Sequence, residues 1–478
     1  MTAASDLAVD LDGTLLRTDT LVEGFFRALF HDPKAAFEAV LALRRGRSAV
    51  KAVLRDYSIE GIRTYPARDE LVSWLAAEAS GGRRLHLVTA AHQSVAEEAA
   101  RRFEIFDHVI GTSETSNLKG AMKRGELGGR FGGGWSYAGD CRADLPIFLS
   151  AKSVVLAGHD PALHHLVSRS GAHIEASFPR ARATLRDWLQ ALRLHQWAKN
   201  LLLFVPLLLS GAFFQPEAVA GAMAAFLLLG LCASGTYLLN DIADLASDRA
   251  HATKCNRPLA AGRIPLLTGF LTAIALVAGS LAVSFVALPE FGLLLAIYTI
   301  TTITYSMSFK RLAMFDVSVL ASLFTLRLAM GAVAAGVPLS GWLAAFSLTF
   351  FLSLSLAKRA TEIQKAPASR QLVPGRGYRK SDYPLVLAFG VASGMTALLL
   401  MILFLVFQAF HQPTYHAPRF LLVTPLMTFL WLSRIWLLAS RGELKDDPVV
   451  FAIKDRASLG LGAIMGIVTL LAVIGPEL

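Results

Sequence analysis

The stretch Asn240-Asp241-Ile242-Ala243-Asp244-Leu245-Ala246-Ser247-Asp248-Arg249 carries three carboxylates and a carboxamide directly after an apolar run long enough to span a bilayer. A carboxylate at the edge of a hydrocarbon slab costs several kcal/mol unless water, a metal or a cation meets it, so grouped acids there default to a functional reading. On a helix, at about 100° per residue, Asn240, Asp241, Asp244 and Asp248 fall within an arc of roughly 100° on one face. Three carboxylates on one face repel one another unless cations bind among them. Hard oxygen ligands of this kind suit Mg²⁺, which prefers to be shared with substrate phosphates. Arg249, Lys254, Arg257 and Arg263 follow, the last three in Lys254-Cys255-Asn256-Arg257-Pro258-Leu259-Ala260-Ala261-Gly262-Arg263. We therefore expect a Mg²⁺-diphosphate site at a membrane surface. A merely solvated charged loop is the bland alternative, but such a loop has no need to keep its acids on one helical face.

The elements that must position these groups divide the chain in two. Its 478 residues are 54% apolar and 17% charged, too apolar for one ordinary soluble domain. Charged residues crowd into the first part, where no uninterrupted apolar run reaches the roughly 18 residues that a span needs, and the remainder is mostly long apolar segments. The boundary is expected near residues 175 to 195. Met1 to Asp10 has no basic start and no apolar run of signal-peptide length, so the N-terminal part is expected on the cytoplasmic side. Cys141, Cys232 and Cys255 show no metal-ligand spacing and fit a reducing compartment. A net charge of +10 could indicate nucleic acid. Much of the excess sits beside membrane segments, however, where anionic headgroups and phosphorylated substrates explain it better, and no nucleic-acid partner is expected.

Residues 1 to about 175 alternate β-type runs with helical stretches, which predicts an α/β sheet. The first strand, Leu7 to Leu11, delivers Asp10-Leu11-Asp12-Gly13-Thr14-Leu15 to its C-terminal end, the edge where ligands collect in open α/β sheets. Leu85 to Val88 ends in Thr89, and Trp135 to Ala138 ends in Gly139-Asp140 with Asp144 four residues on. Between them lies Asn117-Leu118-Lys119-Gly120. This ordered set resembles the four motifs of the haloacid-dehalogenase (HAD) superfamily of phosphohydrolases. The resemblance implies a HAD-like Rossmannoid domain in which Asp10 is the nucleophile and Asp12 the general acid, then base. It further implies that Thr89 and Lys119 hold the phosphoryl oxygens and that Asp140 and Asp144, with Asp10, bind Mg²⁺. Helical periodicity in Leu21, Phe25, Phe26, Leu29 and Phe30, then Phe37, Val40, Leu41 and Leu43, looks like a helical cap over about residues 16–80. A cap of that kind implies a small phosphorylated substrate and exclusion of water. The alternative for this half is a catalytically silent domain kept for packing.

Residues 176–195 hold Arg180, Arg182, Arg186 and Arg193 with Leu185, Trp188, Leu189 and Leu192 at helical spacing, and read as a basic amphipathic linker helix at the interface. The remainder, 196–478, is expected to be an all-α polytopic membrane domain. Apolar runs recur near 200–216, 218–238, 265–288, 290–306, 315–336, 341–357, 384–409, 420–439 and 457–475, nine candidate helices, the first short and broken by Pro206. The joins near 240–263, 309–311, 358–380 and 441–456 carry several Lys or Arg, whereas those near 215–217, 289–291 and 337–341 carry none. Basic joins face the cytoplasm, so the HAD-like domain and the aspartate-rich loop are expected on that side of the inner membrane.

Nine helices with an Asn-Asp-x-x-Asp-x-x-x-Asp sequence after the second resemble the UbiA superfamily of intramembrane transferases. That resemblance implies a diphosphate donor held through Mg²⁺ by Asp241, Asp244 and Asp248 with support from Asn240, so that one Mg²⁺ site is expected in each half of the chain. The common prenyltransferases carry a second acidic pair between helices six and seven. Here Ala357-Lys358-Arg359-Ala360-Thr361-Glu362 stands in that place, which suggests a second anion pocket instead. With Arg193-Leu194-His195-Gln196-Trp197-Ala198-Lys199-Asn200 and Tyr305-Ser306-Met307-Ser308-Phe309-Lys310-Arg311, the chain more closely resembles the decaprenyl-phosphate phosphoribosyltransferase branch. The implied donor is phosphoribosyl pyrophosphate and the implied acceptor a polyprenyl phosphate. Lys254, Arg257, Lys358 and Arg359 would neutralise donor phosphates, and Lys199, Lys310 and Arg193 would meet the acceptor or serve as topology markers. Asp316 is either a helix N-terminal residue or part of a site. A transferase making a lipid-linked 5-phosphoribose produces a phosphomonoester that the HAD-like half could remove. The alternatives are a prenyltransferase joining a polyprenyl diphosphate to an aromatic acceptor, and a membrane scaffold or transporter with a HAD regulator.

Overall fold

Leu7–Val9 (β1) is fully buried because helices cover both faces of the sheet it centres. It pairs in parallel with Leu85–His92 (β2) on one side. On the other it pairs in parallel with Ser136–Gly139 (β4). His108–Thr112 (β3), Val154–His159 (β5) and Ile174–Pro179 (β6) complete a six-stranded parallel sheet of order β3-β2-β1-β4-β5-β6. Leu7 and Val9 pack with Leu71, Leu75, Leu87, Val95 and Ala99, while Ala8 faces the other layer with Val88, Leu127, Tyr137 and Leu163. The order reverses between β1 and β4. Loops leaving these two strands therefore diverge and open a crevice at their C-terminal ends, where Asp10 and Asp140 lie.

Between β1 and β2 four helices, Thr20–His31, Pro33–Ala42, Arg47–Val53 and Arg55–Gly61, share a core of their own built from Ala28, Ala36, Ala39, Ala42, Val50 and Leu54. Asp19 and Asp32 cap the first two, each accepting from backbone N–H groups of the first turn. The inserted cap is shorter than the 16–80 stretch, because Asp69–Ser80 gives Leu71 and Leu75 to the sheet core. Its buried face also differs from the periodicity reading: Phe37, Val40, Leu41 and Leu43 are exposed, and the alanines, which allow close helix approach, form the interior.

The structure is a computed structural model that describes residues 6–113, 118, 120–131, 134–366, 372–373, 376–411, 415–444 and 448–475. It divides into two compact units, Met1–Leu192 with Tyr237–Ala273, and Arg193–Thr236 with Ile274–Leu478. The 28-residue helix Pro216–Ala243 leaves the second unit and enters the first, and Leu266–Ala287 returns. The aspartate-rich stretch thus belongs to the α/β unit.

The second unit is helical. Across the chain, seven helices among the described residues are long and apolar enough to cross a membrane: Pro216–Ala243, Leu266–Ala287, Phe315–Ala334, Gly341–Lys365, Lys380–His411, Pro418–Ser440 and Arg456–Ile474. Two of the nine expected spans are not among them. The 200–216 run is not one helix but three short pieces, Leu194–Phe204, Val205–Leu209 and Ala212–Phe214, with Pro206 in the middle piece and Gly211 at φ +75° before the last. Pro289–Met307 is a 19-residue helix whose four threonines and two tyrosines dilute its apolar character. Outward side chains such as Val286, Leu399 and Ile467 are exposed on these helices, the surface that lipid covers. In the linker, Leu185–Ala191 forms a helix opened by a reciprocal Thr184–Asp187 capping box.

Candidate active sites

β1 ends at Asp10, whose Oδ1 accepts from Leu11 N at 2.9 Å and from Lys123 Nζ at 3.0 Å. Lys123, on Ala121–Phe131, is 2% exposed and also donates to Tyr137 Oη at 2.9 Å. A buried ammonium is stable only against such partners, so its place beside Asp10 is fixed by charge. Sequence reasoning put a lysine here but named Lys119, which lies outside the described residues. Lys123, four residues on, carried no signal apart from an ordinary helical position. Asp12 Oδ1 accepts from Thr20 N at 2.8 Å and Oδ2 from Thr20 Oγ1 at 3.2 Å, which ties it to the first turn of the cap. Burial, then the charge of Asp19 and that of Asp10, raise the Asp12 carboxyl well above the carboxylate range. Such a group holds a proton to give.

Asp140 leaves β4, and Gly13 is wedged against it. A Cβ on Gly13, at φ +75°, would lie 2.2 Å from Asp140 Oδ2. Burial, then Asp10 and Asp144, push Asp140 up to about 8, and burial and Asp10 push Asp144 up to about 6. Ligand atoms of Asp140, Cys141 and Asp144 lie within 4.8 Å of one another, the one such gathering of potential metal ligands among the described residues. Two hard oxygen donors whose charges repel fit a Mg²⁺ ion. Thr89, at the point where β2 turns, is fully buried, and its Oγ1 accepts from Ala91 N at 3.1 Å. Two groups were missed from sequence. Arg68 donates to the carbonyls of Gly13 at 3.1 Å and Thr14 at 3.2 Å, holding the loop that bears Asp12. Lys51 reaches from the cap to the Ala90 carbonyl.

The aspartate-rich stretch is not one continuous helix. The long helix stops at Ala243, Asp244 stands at the N-terminal flank of the short helix Leu245–Arg249 without a side-chain capping hydrogen bond, and Asp244 is exposed while Asp241 and Asp248 are buried. Asp241 and Asp248 converge: Arg257 Nη1 lies 3.1 Å from Asp241 Oδ1 and 2.5 Å from Asp248 Oδ2. Lys254 Nζ is 4.0 Å from Asp248 Oδ1. Two carboxylates aimed at one point form a donor set that fits a hard cation, and here the Arg257 guanidinium supplies the positive charge. Asn240, half-buried, lies at the start of the stretch. Arg249 turns the other way. Its Nη2 and Nη1 pair with Glu23 Oε1 and Oε2 at 2.6 and 3.0 Å, both side chains buried, and its Nε donates to Ala260 O at 3.0 Å. Glu23 lies on the cap helix that begins at Thr20, a link across 226 positions that no sequence pattern announces.

In the helical unit, Lys358 and Arg359 sit on Gly341–Lys365, but their surroundings differ from an open cationic pocket. Arg359 is 1% exposed, donates to Asp316 Oδ2 at 2.7 Å, pairs with Glu362 and reaches Tyr305 Oη at 3.3 Å. Tyr378 Oη donates to Asp316 Oδ1 at 2.6 Å. Asp316 is thus both a residue of the first helical turn and a fully buried ion-pair partner, and the charge of Arg359 is met by two carboxylates. Lys358, Lys199 and Lys310 are half-buried on three separate elements. Arg327, which sequence reasoning passed over, is buried inside a candidate span, donating to Tyr298 Oη at 2.7 Å and to Leu323 O at 3.0 Å. An arginine in the middle of a run whose one other charge, Asp316, stands at its start was the signal that could have found it.

A Rossmann-like crevice with a carboxylate nucleophile position, and an aspartate loop after an apolar helix, define a membrane transferase joined to a phosphohydrolase-type domain. Residues 202–456 match the UbiA prenyltransferase family and residues 7–149 the haloacid dehalogenase-like hydrolase family. The chain belongs to the UbiA family, carries a HAD-type domain at its N-terminal end, and is an integral membrane enzyme of the transferase class. It is 40% identical to Uncharacterized protein y4nM of Sinorhizobium fredii over 460 residues, 96% of this chain and 89% of that protein. It is 32% identical to Nodulation protein NoeC of Azorhizobium caulinodans over 61% of this chain and 95% of that protein. It is 35% identical to Decaprenyl-phosphate phosphoribosyltransferase of Mycolicibacterium smegmatis over 182 residues, 37% of this chain and 57% of that protein.

Proposed function

We propose that the chain transfers 5-phosphoribose from phosphoribosyl pyrophosphate to a polyprenyl phosphate, releasing pyrophosphate, and that its HAD-type domain then removes the 5-phosphate. The observation that carries this reading is that Asp241 and Asp248 lie in the same compact unit as Asp10, Asp12, Asp140 and Asp144, so two phosphate chemistries share one folded body. Likeness to decaprenyl-phosphate phosphoribosyltransferases supports the choice of donor and acceptor. The basic joins support a cytoplasmic location for both sites.

In the transfer step an acceptor phosphate oxygen bonds to the anomeric carbon as the bond to the diphosphate breaks, and pyrophosphate leaves with the electron pair. Asp241, Asp244 and Asp248, supported by Asn240, would hold Mg²⁺, and Arg257 and Lys254 would turn to the diphosphate oxygens. Lys358 would meet the 5-phosphate, Arg359 being shared with Asp316 and Glu362; Lys199 and Lys310 would meet the acceptor phosphate. In the phosphatase step Asp10 attacks phosphorus and Asp12 gives its proton to the leaving sugar oxygen. Asp12 then takes a proton from the water that releases phosphate. Lys123 and Thr89 neutralise and orient the transferring oxygens, a role that Lys119 would share. Asp10, Asp140 and Asp144 would hold Mg²⁺, which would supply the charge neutralisation that lets a carboxylate approach an anionic phosphate.

The test is pyrophosphate release by membranes given Mg²⁺, phosphoribosyl pyrophosphate and a polyprenyl phosphate. Release should require the lipid and vanish in Asp241→Asn, and phosphate should follow only when Asp10 is intact. One observation favours a second reading, transfer of a prenyl group from a polyprenyl diphosphate to an aromatic ring: Asp316 and Glu362 flank Arg359, a pair of carboxylates that the sequence alone did not bring together. Consumption of isoprenyl diphosphate and not of phosphoribosyl pyrophosphate would establish it.

A further inference from the structure

A cavity of about 440 Å³ opens at the HAD centre. Asp12, Gly13, Arg68 and Asp140 contribute to its lining, and so do Leu259, Gly262, Ile264, Pro265, Leu266 and Leu267. The second set follows the aspartate-rich stretch, and Leu266 opens the apolar helix Leu266–Ala287, long enough to cross a bilayer. Gly262 is held at φ +68°, and a Cβ there would lie 2.9 Å from Pro66 Cγ and 3.2 Å from Arg17 Cβ, an approach that favours glycine. Arg263 Nε, 2.7 Å from Asp187 Oδ1, and the Arg249–Glu23 pair fasten this segment to the α/β body. A phosphatase pocket whose wall runs into the first turn of a membrane helix suits an ester that stays in lipid.

The cavity also carries more positive charge than one phosphate requires. Arg68 is occupied with the Gly13 and Thr14 carbonyls, and Arg263 with Asp187. Arg17 has as its ion-pair neighbour the well-exposed Asp69, 3.9 Å away, and its buried Nε has no hydrogen-bond partner among the described residues. Arg180 leaves the end of β6 at the same cavity. Burial first, and the charges of Arg17 and Arg180 after it, lower the Arg68 guanidinium from its usual range. A planar guanidinium with unused donors suits a phosphate oxygen.

We propose that Arg17 and Arg180 form an anion subsite for a second phosphate, the phosphodiester that joins the sugar to an isoprenoid, and that the isoprenoid leaves along Leu259, Leu266 and Leu267. This rests on the phosphatase reading above and adds the residues that select its substrate, a sugar phosphomonoester carried on a polyprenyl phosphodiester. The experiment uses the full chain in detergent with Asp241→Asn, so that transfer neither makes nor consumes the probe. Phosphate release is compared for synthetic farnesylphosphoryl-ribose 5-phosphate and for ribose 5-phosphate. The expected kcat/KM ratio favours the lipid-linked ester by roughly 100-fold, and Arg17→Gln with Arg180→Gln lowers that ratio by roughly tenfold or more. Arg180→Gln alone, at an exposed position, gives a smaller drop and guards against a double variant that fails to fold. Equal use of both esters, or a ratio that neither variant changes, overturns the proposal. Failure of the transferase reading looks different: wild-type membranes release no pyrophosphate, while the ester ratio is unaffected.

Discussion

The Arg249–Glu23 pair offers the sharpest test of how the two chemistries are built into one body. Both side chains are nearly inaccessible, 6% and 3%, and the contact is bidentate at 2.6 and 3.0 Å. Thr18 Oγ1 adds a 2.8 Å hydrogen bond to Glu23, and the guanidinium lies 5.5 Å from the Tyr65 ring centre. Arg249→Leu leaves a buried carboxylate without its partner, which costs about 3–5 kcal/mol, whereas Glu23→Leu with Arg249→Leu removes both charges and should cost less than either single change. The double-mutant cycle should return a coupling of about 2 kcal/mol or more. The effect should reach chemistry, because the helix that carries Glu23 begins at Thr20, the residue that holds Asp12. Phosphatase kcat should therefore fall by about tenfold in the single variant and recover in part in the double. Urea titration of the detergent-solubilised chain and hydrogen exchange over residues 20–31 measure the first, and phosphate release measures the second. A single variant costing less than about 1 kcal/mol, or additive single and double effects, would refute the argument.

Four further outcomes follow from the geometry. Lys123→Met should lower phosphatase kcat by roughly 10²–10³ in a phosphate-release assay, since a buried charge 3.0 Å from Asp10 is lost. Gly13→Ala should destabilise the α/β unit by about 2 kcal/mol or more in thermal melts, because a Cβ at φ +75° meets Asp140. Mg²⁺ affinity at the HAD centre, followed by calorimetry, should weaken as pH falls, by about one log unit per pH unit between 8 and 6 and about two below 6, as protons compete first at Asp140 and then at Asp144. The sign for stability is opposite in metal-free protein: these folded carboxyls are raised above the ordinary value of 3.8, so their contribution is fully present below about pH 4 and is lost as pH rises from there to about 6 for Asp144 and about 8 for Asp140, and Mg²⁺ restores it there. Arg257→Gln should tighten Mg²⁺ binding to the aspartate-rich loop without donor while slowing transfer, and unchanged Mg²⁺ affinity would show that Arg257 does not guard those carboxylates.

The order of motifs made the HAD crevice readable because a parallel sheet delivers polar residues to one edge: Asp10 follows three buried apolar residues, and Asp140 follows four buried strand residues. Lys123 was unreadable for the opposite reason, since on its helix it looks like any surface lysine until Tyr137 and Asp10 enclose it. The aspartate spacing singled out Asp241 and Asp248, which converge on Arg257, but the one-face geometry assumed an unbroken helix. The break at Asp244 turns that residue outward and leaves Asp241 and Asp248 to converge. Apolar periodicity in the cap pointed to Phe37 and Leu41, yet on that helix Ala36 and Ala39 take the interior beside Val50 and Leu54, because alanine allows close helix approach. The run at 200–216 had the composition of a span, and Pro206 with the left-handed Gly211 overrode it.

Charge placement explains why the transferase loop is kept with the α/β unit. Asp241 and Asp248 would repel each other in the resting protein, and Arg257 offsets that cost from within the same loop. A neighbouring cation that could compete for the two acids, Arg249, is drawn off by Glu23, and Arg263 is drawn off by Asp187. The α/β unit therefore supplies the carboxylates that sort the loop's arginines, leaving one guanidinium facing the paired aspartates and two serving as fasteners. Without Glu23 and Asp187, several mobile cations would compete for the same two acids, and a divalent ion would have to displace whichever was bound. Sorting leaves Arg257 at 2.5–3.1 Å from the two acids, with Lys254 Nζ 4.0 Å from Asp248. Preorganisation of this kind lowers the reorganisation that a diphosphate and its metal demand on arrival. The HAD-type body also holds the aspartate-rich loop independently of its own turnover, so on the proposed reading a phosphatase-dead Asp10→Asn chain should retain pyrophosphate release while a chain lacking Glu23 should not.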